Sequence, residues 1–99
     1  VVRKQTSTGL FTSLPDELFE LFPNPAKDYF DILSLGDIDK EVTITLFNIN
    51  GQQWQTKKMQ SLGAGEKIHF PLNRLESGIY FLQIQTARGN WFKKVEILR

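Results

Sequence analysis

A lone histidine, an Asp-x-Asp pair and a scatter of aromatics are the residues of this chain whose types could do chemistry. His69 stands between Ile68 and Phe70, so in a strand it points away from their face, towards solvent. An imidazole on a strand face is not a general base by itself. Asp37 and Asp39 form a pair that can join a calcium site, but calcium takes about six or more oxygens. No matching acidic run stands nearby, and aspartate in that setting reads as turn chemistry. No Ser-His-Asp order comes with supporting motif residues. Gly63 and Gly65 lack the strand–glycine–helix context of a phosphate loop. The chain has no cysteine, which removes disulfides, thiolate metal sites and a thiol nucleophile. These residues predict a protein that is not an enzyme and uses no metal or cofactor.

Binding is the alternative chemistry. Trp54, Phe81, Trp91 and Phe92 cannot all face a core if they lie on alternating strands. An exposed aromatic stripe would suit a sugar or a partner protein, whereas cross-strand aromatic pairs on a half-buried face would be structural. Lys93 and Lys94 adjoin these aromatics near the end of the chain. On an edge strand they would discourage strand-on-strand aggregation. As functional residues they would give a partner a charged handle. Both readings stay open at this level.

The elements that must position these residues are strands. Short β signals run through residues 18–22, 29–35, 41–48, 52–59, 67–72, 79–85 and 91–98, with turn signals roughly every 8–12 residues. Val42, Ile44 and Leu46 share one face. So do Ile68, Phe70 and Leu72, then Tyr80, Leu82 and Ile84, and finally Val95 and Ile97. Asn50-Gly51 is a strong hairpin signal, because a type I′ turn needs positive φ at both centres. Residues 52–59 are polar and read as an edge strand. No stretch has helical periodicity. The pattern predicts an all-β fold, an immunoglobulin-like seven-stranded antiparallel β-sandwich.

Ninety-nine residues make one domain. Twelve basic and eleven acidic residues nearly cancel, which is not the basic excess of a nucleic-acid binder. No apolar run approaches the about 20 residues of a transmembrane helix, and no like-charge block suggests a membrane surface. Residues 1–18 show no sustained period and read as a mobile linker; residues 19–99 read as the domain. The chain starts with Val and shows no signal peptide, and so reads as the C-terminal piece of something larger. Pro23-Asn24-Pro25 marks the passage from linker to domain. Each proline fixes φ, lacks an N–H and pushes its predecessor into an extended conformation, which makes a rigid elbow.

A series of motifs follows in order: Phe22-Pro-Asn-Pro-Ala-Lys-Asp, Thr43-Ile-Thr-Leu-Phe-Asn-Ile-Asn-Gly51, Leu72-Asn-Arg-Leu-Glu-Ser-Gly-Ile-Tyr-Phe-Leu82 and Gly89-Asn-Trp-Phe-Lys-Lys-Val95. This series resembles the type A C-terminal sorting domain of the type IX secretion system (the Por system), over residues 19–99. The resemblance implies a cargo protein fused ahead of the domain and exported across the inner membrane by its own N-terminal signal. The folded domain then directs that cargo from the periplasm through the outer-membrane translocon, with shuttle and sortase proteins as further partners. A sortase cuts within the linker of residues 1–18, removes the domain and links the cargo to an anionic lipopolysaccharide at the cell surface. No nucleic acid and no membrane insertion are implied. Carried over residue by residue, Pro23, Asn24 and Pro25 match the elbow, Gly51 the hairpin glycine, and Gly78 and Tyr80 a Gly-x-Tyr. Lys93 or Lys94 matches a basic residue of the last strand, and Val95 the apolar residue after it. Apart from the resemblance, an immunoglobulin-like accessory module that binds carbohydrate or protein, or a self-associating domain with an open edge strand, would share the fold.

Overall fold

Alternation builds the fold. Successive side chains of a strand face opposite ways, so Val42, Ile44 and Leu46 share a face, as do Tyr80, Leu82 and Ile84. All of these are buried. The computed structural model describes residues 14–73 and 75–99. Of the linker expected over 1–18, positions 1–13 lie outside the described residues.

A short 3-10 turn, Asp16–Leu18, leads into β1 (Phe19–Phe22). Then come β2 (Tyr29–Ser34), β3 (Val42–Asn48), β4 (Gln53–Met59), β5 (Lys67–Pro71), β6 (Gly78–Thr86) and β7 (Gly89–Ile97). One sheet has the order β1-β2-β5 and the other β4-β3-β6-β7, with every named strand pairing antiparallel. The chain changes sheet after β2, after β4 and after β5. This is the immunoglobulin-like β-sandwich the alternation predicts, with the fourth strand hydrogen-bonded beside the third. The polar β4 does form an edge.

The core lies between the inner faces. Phe30 and Phe70 stack with centroids 5.0 Å apart, joining β2 to β5. Ile32, Ile44, Leu46, Leu82, Ile84, Val95 and Ile97 close around them with no exposed surface. Leu14, Leu18 and Leu21 pack on the rim, so the described lead-in already belongs to the packed body.

Two turns differ from the sequence expectation. Asn50 and Gly51 are not the paired centres of a type I′ turn. The Gly51 N–H donates to the Asn48 carbonyl at 3.0 Å, which makes Ile49 and Asn50 the central residues. Gly51 follows at φ 82°, a left-handed value that glycine adopts at little cost. The Asn48 side chain decides the form, since its Oδ1 accepts the N–H groups of Asn50 and Gln52, each at 2.9 Å. The last turn is also tighter than expected. Thr86 pairs with Gly89, so only Ala87 and Arg88 lie between β6 and β7. Thr86 Oγ1 accepts the Arg88 N–H at 3.1 Å and donates to the Gly89 carbonyl.

Candidate functional site

The elbow is fastened to the last strand. Both its X-Pro bonds, Phe22-Pro23 and Asn24-Pro25, are cis. Asn24 sits between them with its side-chain amide against the free edge of β7. Its Nδ2 donates to the Lys94 carbonyl at 3.2 Å, and its Oδ1 accepts the Glu96 N–H at 3.1 Å. The primary amide thus stands in for a backbone unit, offering a donor and an acceptor as a neighbouring strand would. Ala26 continues the pairing. Its N–H donates to the Glu96 carbonyl at 2.7 Å, and its carbonyl accepts the Leu98 N–H at 2.8 Å.

The second half of the motif lies in the β6–β7 hairpin. Tyr80 and Val95 are directly opposite each other on the inner face, and Gly78 is opposite Ile97. The Tyr80 ring is buried while its hydroxyl donates to the Glu76 carbonyl at 2.8 Å, four residues upstream. That is the tyrosine corner of immunoglobulin-like sandwiches. Tyr80 also pairs with Asn48 of β3, which places the Gly51 turn at the same end of the sandwich. A cleft of about 510 Å³ opens there, lined by Asn48, Trp54, Leu75, Glu76 and Tyr80 among others. Arg99 closes this end. Its guanidinium donates to the carbonyls of Leu72 at 2.6 Å and Leu75 at 3.1 Å, contacts that no local sequence pattern announces. Residues of the motif that are some 70 positions apart therefore converge on one end of the sandwich and the adjoining edge of β7.

Lys93 and Lys94 do not form one handle. Strand alternation sends them to opposite faces. Lys94 lies on the outer face of its sheet, opposite Phe81. Lys93 lines an open groove between β1 and β7 with Phe19, Glu20, Leu21 and Phe22. Neither has an ion pair among the described residues.

The aromatic stripe is dispersed as well. Trp91 is only 2% exposed and packs edge-to-face on Phe19, with centroids 5.3 Å apart. It therefore cannot serve as a binding platform. Trp54 falls at the register shift where β3 meets β4 and lines the end cleft. Phe81 and Phe92 remain together on the outer face, 40% and 59% exposed.

The remaining candidates are structural in setting. His69 points to solvent, as its parity predicts. Its Nδ1 lies 2.8 Å from the Asp31 carboxylate across β2 and β5, and its ring lies beside Tyr29. An imidazole–carboxylate pair is only part of a hydrolytic site, which also needs a nucleophile and oxyanion donors beside it. Asp37 braces a loop, its Oδ1 accepting the Ala64 N–H at 2.9 Å. Among the described residues no group of three His, Cys, Asp or Glu is placed to hold a metal ion.

Comparison with known proteins gives the chain its family. A family model described as the secretion system C-terminal sorting domain matches residues 20–98. The chain belongs to that family. No curated protein matches it. Among solved structures it is similar to the crystal structure of a CARDB domain from Pyrococcus furiosus, in complex with di-metal ions. That likeness has 14% identity and a TM-score of 0.40, over 94% of this chain and 100% of that one. As a type IX sorting domain, the chain is a sorting signal. It marks its protein as cargo for the secretion machinery, bound for the cell surface or the outside.

In this sorting domain the geometry gives most motif residues a task in the fold. Asn24 and Ala26 cover the edge of β7, Tyr80 locks the corner, and Val95 fills the core. Asn24→Ala is expected to cost about 1 kcal/mol, because the bonds lost are exposed and water can replace them. The loss is local. Amide hydrogen exchange at Glu96 should accelerate while that at Ile84, in the centre of β6, keeps its wild-type rate.

Proposed function

We propose that the folded sandwich, rather than a linear peptide, is the signal that carries the cargo through the outer-membrane translocon. The observation that carries this reading is the Asn24 amide bridging the Lys94 carbonyl and the Glu96 N–H. The elbow and the last strand become one surface only after folding. In this reading the cargo, fused ahead of residue 1, crosses the inner membrane by its own signal. The domain folds in the periplasm, and the translocon and its shuttle protein read the end of the sandwich and the flank of β7. Pro23, Asn24, Pro25, Gly51, Gly78 and Tyr80 shape that surface, while Lys93 and Lys94 are the side chains free to meet a partner.

A surface sortase then removes the domain. The reading puts the cut ahead of Leu14, since a protease needs an accessible extended backbone and the stretch from Leu14 is engaged. The Leu14 N–H donates to the Asn90 carbonyl at 2.8 Å, and Trp91 Nε1 donates to the Asp16 carbonyl at 3.2 Å. Limited proteolysis is expected to cut within residues 1–13 and leave a stable fragment from about residue 14. Early cuts inside residues 40–95 would contradict a compact domain.

The direct test fuses residues 1–99 to a fluorescent protein carrying an inner-membrane export signal. It is expressed in a type IX host and in a translocon-null strain. Fluorescence at the surface or in the medium of the first strain alone supports the reading. Periplasmic retention of a folded fusion in both strains overturns it.

A further inference from the structure

We propose that the middle of the β7 edge, which the described residues leave uncovered, is a docking site for an extended acidic segment of a partner protein, which adds to the sheet as a strand. The proposal rests on the sorting reading for its biological setting but on the β7 edge for its chemistry. Residues whose backbone groups point away from β6 alternate along β7. Asn90, Lys94, Glu96 and then Leu98 are identified as such by their bonds to Leu14, Asn24 and Ala26. By the same alternation the N–H and carbonyl of Phe92 point outward. Among the described residues they have no partner on that side. Among the described residues, the chain's own segments thus cover this edge at both ends and leave its middle open.

The surroundings of the gap state what would fill it. On one face Phe92 is 59% exposed. On the other, Lys93 stands in an open groove of about 440 Å³ whose far wall is β1, from Phe19 to Phe22. A strand laid here would place alternate side chains against Phe92 and against Lys93. Apolar residues suit the first and carboxylates the second. A second copy of this chain suits the site less well, because antiparallel pairing about Phe92 would set Lys93 diagonally across from its own copy, within reach of a long side chain of like charge. The opposite edge, β4, is a poorer template. It is irregular at Trp54, and its Lys57 is committed to the His69 carbonyl across the sandwich.

The probe is a labelled hexapeptide alternating valine and glutamate, VEVEVE, titrated into the 99-residue chain by fluorescence anisotropy. Its controls are VKVKVK and the fully N-methylated VEVEVE, which cannot donate backbone hydrogen bonds. VEVEVE is expected to bind at least tenfold more tightly than either control and to slow amide exchange at Phe92. Lys93→Glu should transfer the preference to VKVKVK. Equal binding of the N-methylated peptide would reduce the effect to charge and overturn strand addition, as would protection appearing along β4 instead. The titration uses purified protein and does not depend on export. Normal secretion of the wild-type fusion with no peptide binding therefore sinks this proposal alone. Retention of the fusion sinks the sorting reading and leaves the measured binding standing.

Discussion

Trp91→Ala is expected to destabilise the domain by about 3–5 kcal/mol, the usual cost of truncating a buried large aromatic. Two contacts meet at this side chain and a third lies beside it. Its ring packs edge-to-face on Phe19, which joins β7 to β1 across the two sheets. Its Nε1 donates to the Asp16 carbonyl and so holds the 3-10 turn ahead of β1. Its neighbour Asn90 accepts the Leu14 N–H. Truncation would leave a cavity where the sheets meet and an unpaired carbonyl at Asp16. Domains of this size carry only about 5–15 kcal/mol of stability, so a large share would be lost. Urea unfolding followed by circular dichroism measures it, with Trp91→Phe retaining a good part of the packing. A loss under about 1 kcal/mol for Trp91→Ala would show that the lead-in is not fastened through Trp91.

Tyr80→Phe should cost about 1–3 kcal/mol, a large effect for one oxygen atom. The ring stays in the core opposite Val95, so packing changes little. What is lost is the donor to the Glu76 carbonyl, in the turn that carries the chain from one sheet to the other. That carbonyl lies near the turn Arg99 braces through Leu72 and Leu75. The expected sign of the change is a lower urea midpoint with an unchanged slope. Faster amide exchange is expected from Ser77 to Tyr80. An unchanged midpoint would mean the hydroxyl is as well served by water.

Much of this fold was legible because alternation is a local signal. Positions 42, 44 and 46, positions 80, 82 and 84, and positions 95 and 97 all read as inward and are inward. Parity also put His69 on the surface. What the sequence left unread depends on distant partners or on small side-chain choices. Nothing near Asn24 shows that its amide will meet residues some 70 positions later. Trp91 and Lys93 share a parity, yet one is buried and the other exposed. The difference arises because Trp91 meets Phe19 while Lys93 reaches the opening between two sheet edges. The Asn50-Gly51 signal located a turn correctly but misassigned its centres, because Asn48 captured the local N–H groups with its side chain. The irregularity at Trp54 likewise separates that residue from the aromatics with which composition grouped it.

The site follows the same division. The motif residues could be quoted from the sequence, but their convergence on one end of the sandwich could not, because it is a property of the sheet order. The division of Lys93 from Lys94 is the clearest instance. Adjacent in sequence, they serve different faces, and a double substitution would perturb two surfaces at once. Single substitutions separate them. One reports on the groove beside β1 and the other on the outer face with Phe81 and Phe92.

The measurement closest to the central claim compares two fusions in one type IX host. One carries residues 1–99 behind the fluorescent reporter, and the other carries residues 14–99. If the folded sandwich is the signal, both reach the cell surface in equal amount, and only the longer one is released from its domain, because the cut lies ahead of Leu14. Periplasmic retention of the folded 14–99 fusion, with delivery of the longer one, would contradict the account and place the signal in the first thirteen residues.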